Sequence, residues 1–348
     1  MAGIHERRWW PRLIASLLLA GAALALLSRS VGALPDSLAV AWWVVPAYLA
    51  ILLLYFFTRA WRWWFLVRAL GPAPLGITLQ VALAGFFWII LLPWRLGELA
   101  RPILLSQATR LPAPQILGTI ALERVTDGLT VCGLFFLTLG AHRSGPRSAE
   151  IQAIAGSVSA LFLAALIVLI AMALWPRVIG AAIRALLGRI HGGVADRLGD
   201  VADGIAAGLR CLPSPRPLLA FLAVNALYWS INAVGMVVLA RGCGLDLGLI
   251  EITAVMTVIN LALLVPGAPG HLGTFQLGVL GGLALVVPQS TLSDAGLRYA
   301  VYLYTTQIGV CVVLGVWSSA RLGVAWRPLL DRLLGGGAAS EPPPTSPP

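Results

Sequence analysis

Lysine is missing from the 348 residues, so all 24 basic side chains are arginine. Charge of either sign is scarce: 11% of residues carry it, against about a quarter in soluble domains. That scarcity leaves little room for a soluble domain. It also sets nucleic acid aside as a partner, because the formal net charge of +10 has no soluble basic surface to occupy. Cysteine is sparse too. Cys132, Cys211, Cys243 and Cys311 are scattered, with no CxxC and no histidine at ligand spacing. They read as small apolar residues. The usual catalytic signatures are missing: there is no HExxH, no GxSxG, no Walker motif and no paired-acid metal motif. His5, His142 and His191 fall in loops or tails. Neither a metal nor a cofactor is expected, and a catalytic residue cannot be assigned.

Apolar sequence is what remains. Hydrophobic residues make up 59% of the chain and the mean hydropathy is +0.89, which implies an all-α polytopic membrane protein. Runs at Leu13–Leu27, Leu38–Phe57, Gln115–Leu139, Ile154–Leu174, Leu218–Leu239 and Tyr299–Ser319 are each long enough, or nearly so, to cross about 30 Å of hydrocarbon. They make about six full spans. Residues 1–12, with Arg7, Arg8 and Arg12, precede the first run like a signal sequence, but small residues suited to cleavage are wanting before Pro35. A retained signal anchor is expected. Thr58–Arg68 interleaves three arginines with tryptophan, a pattern that suits an interfacial anchor with rings at headgroup depth. Residues 176–217 are amphipathic, with six arginines against three aspartates, and are expected to lie along the membrane surface. The membrane domain is placed at 13–322, followed by a tail at 323–348 that is expected to be disordered from about residue 335.

Two interruptions organise the chain. Leu92-Pro93-Trp94-Arg95-Leu96-Gly97-Glu98 breaks one apolar run, and Pro269-Gly270-His271-Leu272-Gly273-Thr274 breaks another. Pro93, Leu96 and Gly97 map onto Pro269, Leu272 and Gly273 at a single offset of 176 residues. The same offset carries residues 38–139 onto 214–315, overlapping a second half at about 218–319. Hydrocarbon tolerates broken backbone and charge only where protein or a water-filled cavity surrounds them. If Pro74–Arg110 enters and leaves on one side, as a re-entrant hairpin or as two helices, fifteen arginines fall inside. Arg29, Arg143, Arg147 and Arg241 then fall outside, with Arg298 at an edge. The positive-inside rule favours that arrangement. It puts the second hairpin on the opposite face, the inverted-repeat pattern of secondary transporters, with both termini cytoplasmic.

Several residues in or near these breaks can carry chemistry. Arg95 and Glu98 are three apart and share a face of any helix starting at Pro93. Such a helix start favours an anionic group, and Arg95 can hold a phosphate bidentately or simply pair with Glu98. Glu123, Arg124 and Asp127 lie inside an apolar run, where exposure to lipid costs several kcal/mol. They are expected to face the interior and to pair with Arg95, Arg101 or one another, as a structural network or as a substrate or proton-coupling site. His271 stands where Arg95 stands in the first repeat and can titrate or merely hydrogen-bond. Gly97, Gly270 and Gly273 allow close backbone approach. Asn225, Asn232 and Asn260 read as helix–helix hydrogen-bonding groups.

These motifs resemble a known family. Leu92-Pro93-Trp94-Arg95-Leu96-Gly97-Glu98-Leu99-Ala100-Arg101, Leu122-Glu123-Arg124-Val125-Thr126-Asp127 and Pro266–Gly273 together are similar to the flippase-like membrane family that includes the transmembrane region of lysylphosphatidylglycerol synthase. The resemblance implies a multi-pass protein of the bacterial inner (cell) membrane that moves or handles lipids. The tail ending at residue 348 leads to the expectation of a stand-alone protein without the synthase domain. The family pattern usually has Pro-Gly-Gly in the second hairpin, whereas this chain has Pro269-Gly270-His271. Membrane lipids are the expected partners, together with a lipid-biosynthetic enzyme if the protein serves one. The leading expectation is a non-enzymatic lipid flippase whose Arg95, Arg101 and Arg124 attract a phosphate headgroup. Glu98, Glu123, Asp127 and His271 balance charge or couple protons. The alternatives are a membrane-embedded transferase in lipid-linked glycan or aminoacyl-lipid synthesis, or an accessory subunit of such an enzyme.

Overall fold

The computed structural model describes residues 38–92, 97–141, 148–175, 181, 184–185, 199–207, 215–264 and 269–324. The expected first span, most of the 176–217 segment and the tail lie outside them. Helix is the only regular secondary structure among the described residues. The long helices are α1 (Val44–Leu70), α2 (Leu75–Leu91), α3 (Ala100–Ala108), α4 (Ala113–Ala141), α5 (Ser148–Leu174), α6 (Pro215–Gly242), α7 (Leu249–Ala262), α8 (Thr274–Leu283) and α9 (Leu297–Arg321). A π-helical turn, Leu292–Gly296, leads into α9.

Val44–Leu70, Arg216–Gly242 and Gln289–Arg321 are long and apolar enough to cross a membrane. At 1.5 Å per residue, the 27 residues of α1 extend about 40 Å. Helix α4 has 29 residues and comparable length, but it carries Glu123, Arg124 and Asp127 in its middle.

Local sequence explains the breaks. Leu92 ends α2 at φ −94°, ψ 137°, the extended geometry that the following Pro93 imposes on its neighbour. A short turn at Gly97–Leu99 feeds α3. Segment 93–96, which includes Pro93 and Arg95, lies outside the described residues. In the second break, Gly270 (φ 74°) and Gly273 (φ 84°) sit in the left-handed region, and so does His271 at φ 56°. The Gly273 N–H donates to the Gln276 side chain at 2.8 Å, capping α8. Tyr304 on α9 donates to the Gly270 carbonyl at 3.0 Å, tying this turn to the last helix.

Packing is dominated by α1 along α6 and α2 against α9, with α7 lying between α4 and α8. A core stripe on α1 runs Val44, Tyr48, Leu52, Phe56, Ala60, Trp63, Val67, all buried. The stripe passes straight through the segment expected to lie at the interface, and that expectation fails for Arg62 and Trp63. Thr58–Arg68 is the second half of one helix whose inward face keeps the period of its first half, so Arg62 and Trp63 point into the protein. Both are fully buried.

Candidate functional site

The inward face of α4 sets the site. Glu123 and Asp127 are one helical turn apart, so both carboxylates project the same way. Arg62 on α1 meets them. Its Nη1 and Nη2 donate to the two Asp127 oxygens at 2.6 and 2.7 Å, a bidentate fork. Nη2 also reaches Glu123 Oε1 at 3.2 Å. Arg101 on α3 donates to Glu123 Oε2 at 3.0 Å. Arg124 Nη2 lies 2.5 Å from Glu123 and 3.1 Å from Asp127. Arg62, Arg101 and Glu123 have no solvent exposure, whereas the Asp127 and Arg124 side chains keep 13% and 23%.

Hydrogen bonds and ring contacts from neighbouring helices fix these groups in place. Asn225 on α6 accepts from Arg62 and donates to Thr130 at 3.2 Å, acting as the helix–helix link expected of it. The Arg62 guanidinium stacks 4.5 Å from the Tyr228 ring centroid, and that of Arg101 lies 5.1 Å from Trp63. Arg101 can enter the core because Gly85 of α2 lacks a side chain. A Cβ there would overlap the Arg101 stem. Such aromatic and carboxylate partners are what make guanidinium burial tolerable.

Beside this network lies a cavity of about 540 Å³. Glu98, Arg124 and Asp127 line it from the first half and His271, Asn260 and Gln307 from the second, with aromatic and apolar side chains between. The structure thus brings four of the sequence-selected residues, Glu98, Arg124, Asp127 and His271, to one space. Arg101 and Glu123 stand behind its wall. Gly97 lies against the Trp88–Ile89 backbone, where a Cβ would collide. Pro269, Gly270 and Gly273 shape the turn that delivers His271. Two cavity residues were assigned other roles from sequence, Arg59 an interfacial one and Asn232 a helix–helix link. Arg59, three residues before Arg62, lines the cavity 4.5 Å from the Phe86 ring. Asn232 lines it from α6. Among the described residues no group of three metal-ligating side chains converges. Chemically, the arrangement is a fixed array of guanidinium and carboxylate groups at the edge of a small-molecule-sized space.

Comparison with known proteins places the chain in a family of membrane proteins. The family described as Lysylphosphatidylglycerol synthase TM region matches residues 13–311. The protein named Glycosyltransferase AglD of Haloferax volcanii is 25% identical over 265 residues. That match covers 68% of this chain and 42% of the relative, so the chain spans less than half the length of the protein it resembles. No solved structure matches.

Proposed function

Because the chain belongs to the lysylphosphatidylglycerol synthase transmembrane-region family, we propose that it translocates or otherwise handles a phosphate-bearing envelope lipid in the bacterial inner membrane. The observation that carries this reading is the cavity itself, lined by Arg59, Arg124, Glu98 and Asp127 in a chain with so little charge. Ionisable groups inside a membrane are costly and mark substrate or ion paths. The cavity's size suits a headgroup, so acyl chains stay in the bilayer while the headgroup crosses. Arg124 and, from the first hairpin, Arg95 attract the phosphate. Arg101 holds Glu123 in place, and Glu98, Asp127 and His271 balance the charge.

The packing pattern supports the inverted repeat. Exchanging the halves pairs α1 with α6, α2 with α7, α3 with α8 and α4 with α9. Under that exchange the α1–α6 contact maps onto itself, and α2–α9 maps onto α7–α4. Substrate sites in such transporters lie where the two repeats meet, which is where this cavity lies. The arginine-rich segments and both termini then face the cytoplasm.

Reconstituted protein tests the reading. Wild type is expected to move a labelled anionic phospholipid between leaflets, and Arg95→Ala and Glu98→Gln are expected to slow it. Wild-type rates in both variants would remove the proposed site. The glycosyltransferase name of the Haloferax relative favours a second reading, a membrane-embedded transferase acting on a lipid-linked sugar. A covalent product formed from a sugar-phosphate lipid by purified protein would establish it.

A further inference from the structure

Among the described residues the charges around the cavity do not balance. Four guanidiniums (Arg59, Arg62, Arg101, Arg124) face three carboxylates (Glu98, Glu123, Asp127). The carboxylates of α4 are fully used. Both Asp127 oxygens are taken by Arg62 and Arg124, and Glu123 is shared among Arg62, Arg124 and Arg101. Arg59 receives none of this. Among the described residues it forms no ion pair, and its one hydrogen bond is a long donation to the Tyr55 hydroxyl at 3.4 Å. Its Nε–H is buried with no acceptor. Arg124 likewise lines the cavity and has a buried Nε–H with no acceptor.

Asn232 is an independent sign of the same vacancy in bonding. It is 8% exposed and lines the cavity, yet its amide hydrogen-bonds to none of the described residues. Asn225, seven residues earlier on the same helix, spends its amide on Arg62 and Thr130, and Asn260 donates to the Met256 carbonyl at 2.8 Å. The orphaned Arg59 Nε–H costs free energy unless a ligand supplies the acceptor, and the Asn232 amide at the cavity wall can donate to the same ligand.

We infer that Arg59 and Asn232, on the paired helices α1 and α6, are further anion-contacting residues of the cavity, beside Arg124, and take the oxygens of a phosphate group. Arg62 and Arg101, held by carboxylates, are positioning residues that fix α4. The assignment rests on the lipid-handling reading only in naming a phospholipid as the source of that phosphate; free inorganic phosphate presents the same oxygens.

The test is equilibrium binding to the full chain in nanodiscs, with fluorescent phosphatidylglycerol as one probe and inorganic phosphate as the other. Wild type is compared with Arg59→Gln, the isosteric Asn232→Asp and the control Arg68→Gln, whose guanidinium stacks on Trp64 outside the cavity. Arg59→Gln and Asn232→Asp are each expected to weaken binding about tenfold or more, the value of one charge-assisted hydrogen bond, and Arg68→Gln to leave it unchanged. Loss with either probe supports the assignment, and the probe affected identifies lipid or free phosphate as the ligand. Wild-type affinity for both probes in Arg59→Gln and Asn232→Asp would overturn it, as would absence of binding by wild type. If Arg59→Gln fails to fold, Asn232→Asp carries the test alone. Translocation is read separately. A wild type that binds phosphate but flips no lipid removes the transport reading and leaves Arg59 and Asn232 in place. One that flips lipid while both variants bind normally removes this assignment alone.

Discussion

Glu123 is the residue on which the buried network closes, since it accepts from Arg62, Arg101 and Arg124. Breaking a buried ion pair by removing one partner leaves uncompensated charge and costs about 3–5 kcal/mol. Glu123→Gln is therefore expected to lower the thermal unfolding midpoint in detergent far more than Arg124→Gln, whose side chain is partly exposed. Equal shifts for the two would contradict the closed network. His271 makes the opposite prediction. It holds φ 56°, a left-handed backbone that costs a residue with a Cβ about 1–2 kcal/mol, at a position where the family resemblance leads one to expect glycine. His271→Gly is expected to raise the unfolding midpoint while removing the imidazole from the cavity. An unchanged or lowered midpoint would mean that the side chain's contacts outweigh the backbone strain.

Residues differ in how openly the sequence declared them. Glu123, Arg124 and Asp127 were visible because charge inside a long apolar run has few explanations. Arg59 and Arg62 were hidden by their tryptophan neighbours, since Arg–Trp alternation after an apolar run also describes a membrane edge. The signal that separates the two cases is the four-residue spacing of Val44, Tyr48, Leu52 and Phe56, which continues to Arg59, Ala60 and Trp63. Asn232 could not be told from Asn225 by type or by helix, because which amide meets a partner depends on how α4 and α1 lie against α6.

At the scale of elements, the broken hairpin is built from short helices that owe their position to close backbone approach. Helix α2 accepts Arg101 against its middle only because residue 85 is glycine. Gly85→Ala inserts a methyl group into the Arg101 stem, an overpacking that costs about 1–3 kcal/mol. The expected result is a destabilised protein whose loss is suppressed when Arg101 is also shortened, as a double-mutant cycle would measure. Additive effects would mean that the two sites do not touch. Proline and glycine placed the breaks well, because Pro93 forces the residue before it out of the helix and Gly270 and Gly273 occupy left-handed positions. How α2 then pairs with α9, and α7 with α4, is long-range packing that no single stretch of sequence encodes.

For the whole molecule, arginine distribution predicts orientation. A cysteine at position 143 is expected to react with a membrane-impermeant maleimide added to intact cells, and one at position 197 only after permeabilisation. The described native cysteines, Cys132, Cys243 and Cys311, are buried and give little background. The reverse labelling pattern would invert the topology and detach the repeat from the charge argument.

Passage of a phosphate-bearing headgroup through this cavity, as proposed, is tested most directly by a dithionite bleaching assay on vesicles holding purified protein and phosphatidylglycerol labelled on one acyl chain. Wild-type protein is expected to expose the inner-leaflet label, so that the signal decays nearly to completion. A protected inner-leaflet fraction identical to that of protein-free vesicles would contradict it.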